Sequence, residues 1–322
     1  MNSNTSSDVS NMGLKFKKCL LAHILRSPSS TFINSRIAAC VVNALFSLVG
    51  TILNALVLYI FWKSPQRRSK MSYFGIMLMS SVDLAVVTIV QLLFISLLIN
   101  AILEQAKCLH LMAFVVAIYV FSGMSMAIII TINIERYFSI VCPILHRAIA
   151  TKKRFSLTCV LIWFVQILMT VCWFLFSGFG SIGSAIFYFL TCVTSFFVYL
   201  SIFFVARKKL RNVHPVNNTS GQDTSNNRMS FLRELKLAKT YVLVVLLCFL
   251  CYLPYGIVLA NNLVDRNVES IDERGTMAST WTVTLVLINS TLNCCVFFWA
   301  NRELRKEGLK VVRKCFGERY GR

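Results

Sequence analysis

Seven long stretches of this chain carry almost no Asp, Glu, Lys or Arg: residues 37–61, 73–101 (interrupted only by Asp83), 108–134, 155–176, 182–206, 240–263 and 276–300. A helix needs about twenty apolar residues to cross roughly 30 Å of hydrocarbon, so each stretch is long enough to span a bilayer. Backbone amides in lipid must be satisfied within their own segment, which leaves seven α-helices as the reading. The fourth and fifth stretches form one uncharged run from Phe155 to Ala206, too long for a single crossing. Ser177-Gly178-Phe179-Gly180-Ser181-Ile182-Gly183 supplies the break and an unusually short outer loop.

Charge placement sets the orientation. The chain has 33 Lys and Arg against 13 Asp and Glu, a net +20, yet only 14% of its residues are charged. A nucleic-acid binder would spread such charge over a folded surface, and nucleic acid is excluded as a partner because the basic residues gather between the apolar runs. With Arg136 counted on neither side, twenty-four lie in one set of loops and eight in the other. The positive-inside rule then puts the N-terminus outside and the C-terminus in the cytosol, as expected of a multi-pass plasma-membrane protein. We expect an extracellular segment over residues 1–36, a transmembrane domain over 37–300 and a cytoplasmic tail over 301–322. Asn4-Thr5-Ser6 is then an available glycosylation site. The tail presents Leu304, Gly308, Val311, Val312, Cys315 and Phe316 at helical spacing beside basic residues, the pattern of an amphipathic helix lying on membrane lipids. Cys315, next to Arg313 and Lys314, is either palmitoylated or a plain cysteine. Most of the twelve cysteines fall inside apolar runs, which excludes a secreted disulfide framework. The Cys248/Cys251 pair lies in one such run and has no second pair to complete a zinc site.

Polar side chains at membrane depth are costly and therefore functional candidates. They are Asn54 in the first run, Asp83 in the second, Ser125 in the third, and Asn289, Ser290 and Asn293 in the seventh. They form either a hydrated pocket for Na⁺ or a proton, or a purely structural hydrogen-bond network.

Several short motifs at these places resemble the rhodopsin-like (class A) family of G-protein-coupled receptors. They are Gly50-Thr51-Ile52-Leu53-Asn54-Ala55-Leu56-Val57, Ser81-Val82-Asp83-Leu84, Glu135-Arg136-Tyr137, Trp163, Cys251-Tyr252-Leu253-Pro254-Tyr255, and Asn289-Ser290-Thr291-Leu292-Asn293-Cys294-Cys295-Val296-Phe297. The likeness runs from about residue 37 to 316 with motif spacing kept. The departures are specific. Cys294 replaces the seventh-helix proline, Phe297 the tyrosine and Tyr252 the sixth-helix tryptophan, and Thr191 is the best match for a missing fifth-helix proline. Cys294 keeps a backbone donor that proline lacks, so the seventh helix is expected to be straighter there. The short loop after the fourth run and the missing proline are also similar to melanocortin receptors and their relatives. The acidic third-helix cluster of that group and its outer-loop cysteine after helix six are absent, which leaves a loose kinship.

The resemblance implies an all-α bundle of seven transmembrane helices plus a short amphipathic cytoplasmic helix, with no enzymatic chemistry. It implies a coupling switch in which Arg136 is held by Glu135 and by Glu234, Tyr137 flanks it, Pro254 gives helix six its bend, and Asn293 and Phe297 belong to the seventh-helix frame. The alternative for Arg136 and Glu234 is an ordinary juxtamembrane ion pair. It implies an allosteric Na⁺ site at Asp83, Ser125, Asn289 and Asn293, with Asn54 nearby and no other cofactor. It places Ile118, Tyr119, Ser122, Tyr252, Tyr255, Leu259 and Leu287 around an outer pocket. Ile118 stands where amine receptors have an aspartate and Leu287 where opsins have the retinal lysine, so neither class is expected. A lipid, a small neutral molecule or the hydrophobic end of a peptide fits the remaining apolar pocket. Asp265, Glu269, Asp272 and Glu273 make the loop before the seventh run acidic, either to attract a cationic peptide or simply as a solvated loop. Cys108 lies 28 residues before Arg136, out of the family's register, so either Cys19 pairs with it or both are free, and the free state is expected. The partner expected inside is a heterotrimeric G protein. The competing class is a seven-helix transporter or ion-conducting protein with Asp83 as carrier site, against which stands the lack of an inverted repeat.

Overall fold

The computed structural model describes residues 28–66, 71–105, 107–175, 179–212, 240, 242–258 and 273–317. Among them the ordered structure is helical. The order is α1 Ser30–Lys63, α2 Met71–Ala85, a π-helical turn Val86–Val90, α3 Gln91–Ile102, α4 Cys108–Val141, α5 Pro143–Ile149, α6 Lys152–Leu175, α7 Phe179–Asn212, α8 Val242–Val258, α9 Glu273–Ala300 and α10 Arg302–Gly317. Helix α2, the π turn and α3 make one crossing, so the described crossings are α1, α2 to α3, α4, α6, α7, α8 and α9. Four of the described helices are long and apolar enough to span a bilayer by themselves: Ser30–Lys63, Tyr73–Ile102, Cys108–Val141 and Glu273–Ala300. The first crossing begins at Ser30, two turns earlier than the uncharged run suggests, because Ser29 caps it by accepting from Phe32 N at 3.2 Å. The fifth restarts at Phe179, inside the glycine-rich break.

Helix α1 shows how the bundle is held. Phe32, Arg36, Ala39, Asn43, Ser47, Gly50, Asn54, Val57 and Ile60 are buried at steps of three or four residues, while Ile37, Val41, Leu45, Leu48 and Ile52 on the other face are exposed, as lipid contact requires. The buried face packs against α9 and against α2 and α3. Small groups allow the close approach. A Cβ on Gly50 would lie 2.8 Å from Val87 Cγ1 and would overlap Thr291. Thr291 in turn donates to the Phe46 carbonyl at 3.0 Å, and Ser47 Oγ donates to the Val87 carbonyl at 2.7 Å, within the π turn. The wider π turn interrupts the regular i to i−4 ladder beside this contact, a usual place for such turns in functional bundles.

Helix α3 ends in a left-handed residue, Glu104 with φ 55°, and Gln105 N donates back to the Asn100 carbonyl at 2.8 Å. Helix α4 then starts at Cys108, which is disulfide-bonded. This corrects the expectation that Cys108 is free. Cys40, Cys142, Cys159, Cys248, Cys251, Cys294 and Cys295 are free and so are not its partner, and Cys19 lies outside the described residues. Helix α9 runs unbroken through Cys294, in keeping with the retained backbone donor. At its end Asn301 Oδ1 accepts from Glu303 N and Leu304 N, capping α10, whose Leu304 is buried against the bundle while Leu309 and Val312 stay exposed.

Because Gly50 admits no side chain, Gly50→Leu should destabilise the purified protein by about 1–3 kcal/mol through overpacking. A thermal unfolding midpoint equal to that of the unaltered protein would show that α1 can move away from α9.

Candidate functional site

The inner half of the bundle gathers the polar residues of three crossings. Asn293 Nδ2 donates to Asp83 Oδ2 at 3.2 Å, and Ser290 also faces that carboxylate. Asn54 Nδ2 donates to the Gly50 carbonyl at 2.9 Å and to the Ser290 carbonyl at 3.4 Å. Asn54, Asp83 and Asn293 are completely buried and Asn289 nearly so. Their remaining oxygens, Asn54 Oδ1, Asp83 Oδ1, Asn289 Oδ1 and Asn293 Oδ1, have no hydrogen-bond partner. Four buried oxygens, one of them from a carboxyl group, without a donor are the inverse of what a hydrogen-bond network needs and suit a hard cation. Ser125, expected in the same group, instead directs its hydroxyl to Met79 Sδ at 3.9 Å. Ser80 Oγ is buried and unpartnered as well.

Near the C-terminal end of α4, Arg136 is 1% exposed, an extreme burial for a guanidinium. Its Nε and Nη2 both reach Glu135 Oε2 at 2.5 Å. The other carboxylate oxygen, Glu135 Oε1, meets His146 Nε2 at 3.0 Å. His146 is carried by α5, which Pro143 opens directly after α4 ends. One carboxylate therefore ties Arg136 of α4 to His146 of α5. Glu234 lies outside the described residues. Phe297 is buried beside a narrow apolar gap, too small for water, whose other walls are Met79, Ile129, Ile132, Asn133, Val244 and Val245. Val244 and Val245 belong to α8, so α8 lines this gap with apolar side chains. Pro254 lies four residues before the end of α8, near its outer end, and is half-buried. Cys315 lies in the last turn of α10.

The outer half holds an apolar cluster of Ala39, Val86, Val90, Phe94, Leu97, Leu98, Phe114, Ile118, Val286 and Leu287, against which Tyr119, Tyr252 and Tyr255 pack. Tyr119 and Tyr255 place their hydroxyls 3.5 Å apart, and the Tyr252 hydroxyl meets Ser122. Six of the seven expected pocket residues thus converge, and Leu259 lies outside the described residues.

A model of the 7 transmembrane receptor (rhodopsin family) matches residues 53–297, most of the chain. The chain belongs to the rhodopsin family of seven-transmembrane receptors. It is also similar to the adenosine receptor A3 of Ovis aries, 23% identical over 304 residues, covering 85% of this chain and 89% of the relative. It is thus a receptor and a multi-pass membrane protein with an all-α seven-helix fold, a class that performs no covalent catalysis.

The receptor holds three features that its motifs do not announce. Asn133 Nδ2 donates to Ser195 Oγ at 2.7 Å and Asn133 Oδ1 accepts from Tyr199 at 2.8 Å, joining the third and fifth crossings. Near the outer end, Asn43 Nδ2 donates to Thr284 Oγ1 at 3.0 Å and Gln91 Nε2 donates to Asn43 Oδ1 at 3.1 Å, joining the first, second and seventh. His146 is the third. Asn43, Gln91 and Asn133 lie in uncharged runs, where an amide at membrane depth is itself the legible signal. His146 lies in a loop and has none. Asn133→Ala removes both bonds of the first group and leaves buried hydroxyls behind. It should lower stability by about 1–3 kcal/mol, read as a lower unfolding midpoint of the purified receptor. An unchanged midpoint would mean that these bonds are replaced by water.

Proposed function

We propose that this receptor resides in the plasma membrane with its N-terminus outside, binds an extracellular ligand in the outer half of the bundle, and promotes nucleotide exchange on a heterotrimeric G protein at its inner face. The observation that carries the reading is Arg136, 1% exposed and held by Glu135, at the inner end of the third crossing in a chain of the rhodopsin family. Breaking such a buried pair costs about 3–5 kcal/mol, so it stays closed until another contact replaces it. Glu234 supplies the helix-six half of the latch, and outward movement of helix six about Pro254 frees Arg136, with Tyr137, to meet the G protein. The weakly held side is the apolar gap at Val244, Val245 and Phe297, where no hydrogen bond has to break.

The unpartnered oxygens of Asn54, Asp83, Asn289 and Asn293 fit Na⁺, with Ser125 at the margin of the group. A cation there favours the closed arrangement by population shift. The outer cluster fits a lipid, a small neutral molecule or a peptide's hydrophobic end. The name of the sheep relative gives a nucleoside as that protein's ligand, whereas the cluster here is dominated by aliphatic and aromatic side chains. Residues 1–36 form the outer segment with Asn4 glycosylated, 37–300 the receptor domain, and 301–322 the tail with Cys315 palmitoylated on the inner leaflet.

Membranes containing the receptor should accelerate GTP exchange on at least one member of a panel of purified G proteins. Glu234→Ala should raise the ligand-free rate at equal surface expression, and Arg136→Ala should abolish it with surface delivery largely intact. Exchange that Arg136→Ala leaves unaltered would sink the reading. Separately, replacing a bulky inert cation by Na⁺ at constant ionic strength should raise the unfolding midpoint of the receptor but not of Asp83→Asn. Equal Na⁺ sensitivity in the two would make the cluster structural only.

A further inference from the structure

Helix α1 buries a cation near its outer end. Arg36 is 6% exposed and lies on the face it shares with Ala39, Asn43 and Ser47, the face packed against α9 and against α2 and α3. Its guanidinium lies over the Phe32 ring, one turn nearer the start of α1, on that same buried face. Arg36 Nε has no hydrogen-bond partner. The contact the guanidinium does make is with the ring of Phe32, 4.3 Å from the centroid, and a cation–π contact offsets only part of the desolvation cost.

No carboxylate among the described residues pairs with it. Glu273, at the start of α9, accepts instead from Ser29 N at 2.8 Å and Ser29 Oγ at 2.6 Å. Ser29 precedes Arg36 by two turns, about 10 Å along the axis. Cys40, one turn deeper, is the other titratable group facing Arg36, and it is a free thiol. A buried charge without a counter-ion costs several kcal/mol, and none of the described residues supplies one to Arg36. The surroundings show what kind of anion suits it. Ala39, three residues on and on the same face, already belongs to the apolar cluster that includes Phe94, Phe114, Ile118 and Leu287. A cation at the rim thus continues directly into an apolar floor.

We propose that Arg36 is the anion-recognising residue of the outer ligand site, and that the ligand is an amphiphile with one carboxylate or phosphate head and an apolar body. The fork of guanidinium donors takes either head through paired hydrogen bonds, and the cluster takes the body. The proposal rests on the receptor reading for the meaning of the ligand, and its test is made without a G protein so that the two fail separately.

Purified receptor in neutral phosphatidylcholine nanodiscs is titrated with oleate, with oleoyl lysophosphatidate and with monooleoylglycerol, and the unfolding midpoint is followed. At least one anionic probe should raise the midpoint saturably while the neutral one does not. Arg36→Gln should weaken that probe about ten-fold or more, the loss expected for a charge-assisted hydrogen bond, and Arg36→Lys should fall between. No shift with either anion, an equal shift with monooleoylglycerol, or unchanged affinity in Arg36→Gln overturns the proposal. A second arm adds phosphatidylserine to the discs without probe. A rise in midpoint there that Arg36→Gln removes would assign the arginine to a bilayer headgroup and overturn the ligand site. If Arg36→Gln does not fold, Arg36→Lys alone decides, since an unchanged oleate or lysophosphatidate isotherm contradicts guanidinium recognition. Anion binding in a receptor that activates no G protein would leave this inference standing and remove the coupling reading.

Discussion

Hydrocarbon offers no hydrogen bond to a polar group, and the buried amides and charged side chains described in this bundle are placed by that fact. Helix α1 shows it most simply: its apolar residues split between lipid and core, whereas Arg36, Asn43, Ser47 and Asn54 all lie on the core face. Once there they must find partners on neighbouring helices. Asn43 finds Thr284 and Gln91, Ser47 finds the Val87 carbonyl, and Asn54 finds the carbonyls of Gly50 and Ser290. The first, second and seventh crossings are thus fixed to one another by polar contacts, with Gly50 allowing the close approach those bonds need.

The same constraint marks the sites. Where side chains satisfy one another the bundle is simply held, as between Asn133, Ser195 and Tyr199. Where they do not, unspent capacity remains: four acceptor oxygens around Asp83, and one buried cation at Arg36. These two are opposite in sign and lie at different depths, so they suit different partners, a cation inside the bundle and an anion at its rim. Arg136 is the third case, buried but paired, with a neighbouring glutamate that is itself shared with His146. A shared carboxylate joins Arg136 at the end of α4 to His146 on α5.

Much of this was legible beforehand. The seven apolar runs, the asymmetry of Lys and Arg, and the amide and carboxylate at fixed places in the first, second and seventh runs follow from transfer energetics, which depend on residue type and hardly on context. The spacing of the motifs placed Asn54, Asp83 and Asn293 together, and α10 appeared where the amphipathic pattern put it. Less legible was anything set between helices. Ser125 shares the depth of Asp83 yet turns to Met79, because rotation of a helix by part of a turn decides which neighbour a hydroxyl meets. Arg36 counted as an outer-loop residue until the Ser29 cap extended α1 past it and made it a buried one.

The sequence by itself determined that the chain crosses a membrane, how often, and which residues are too polar to face lipid, since a single residue's cost of transfer settles each of these. Only the tertiary structure decided who meets whom: the His146 grip on Glu135, the Asn133 bridge, the disulfide at Cys108 and the burial of Arg36 over Phe32. These depend on distances between segments far apart in the chain, and such distances come from packing, where a rotation or a shift of one turn exchanges every partner at once.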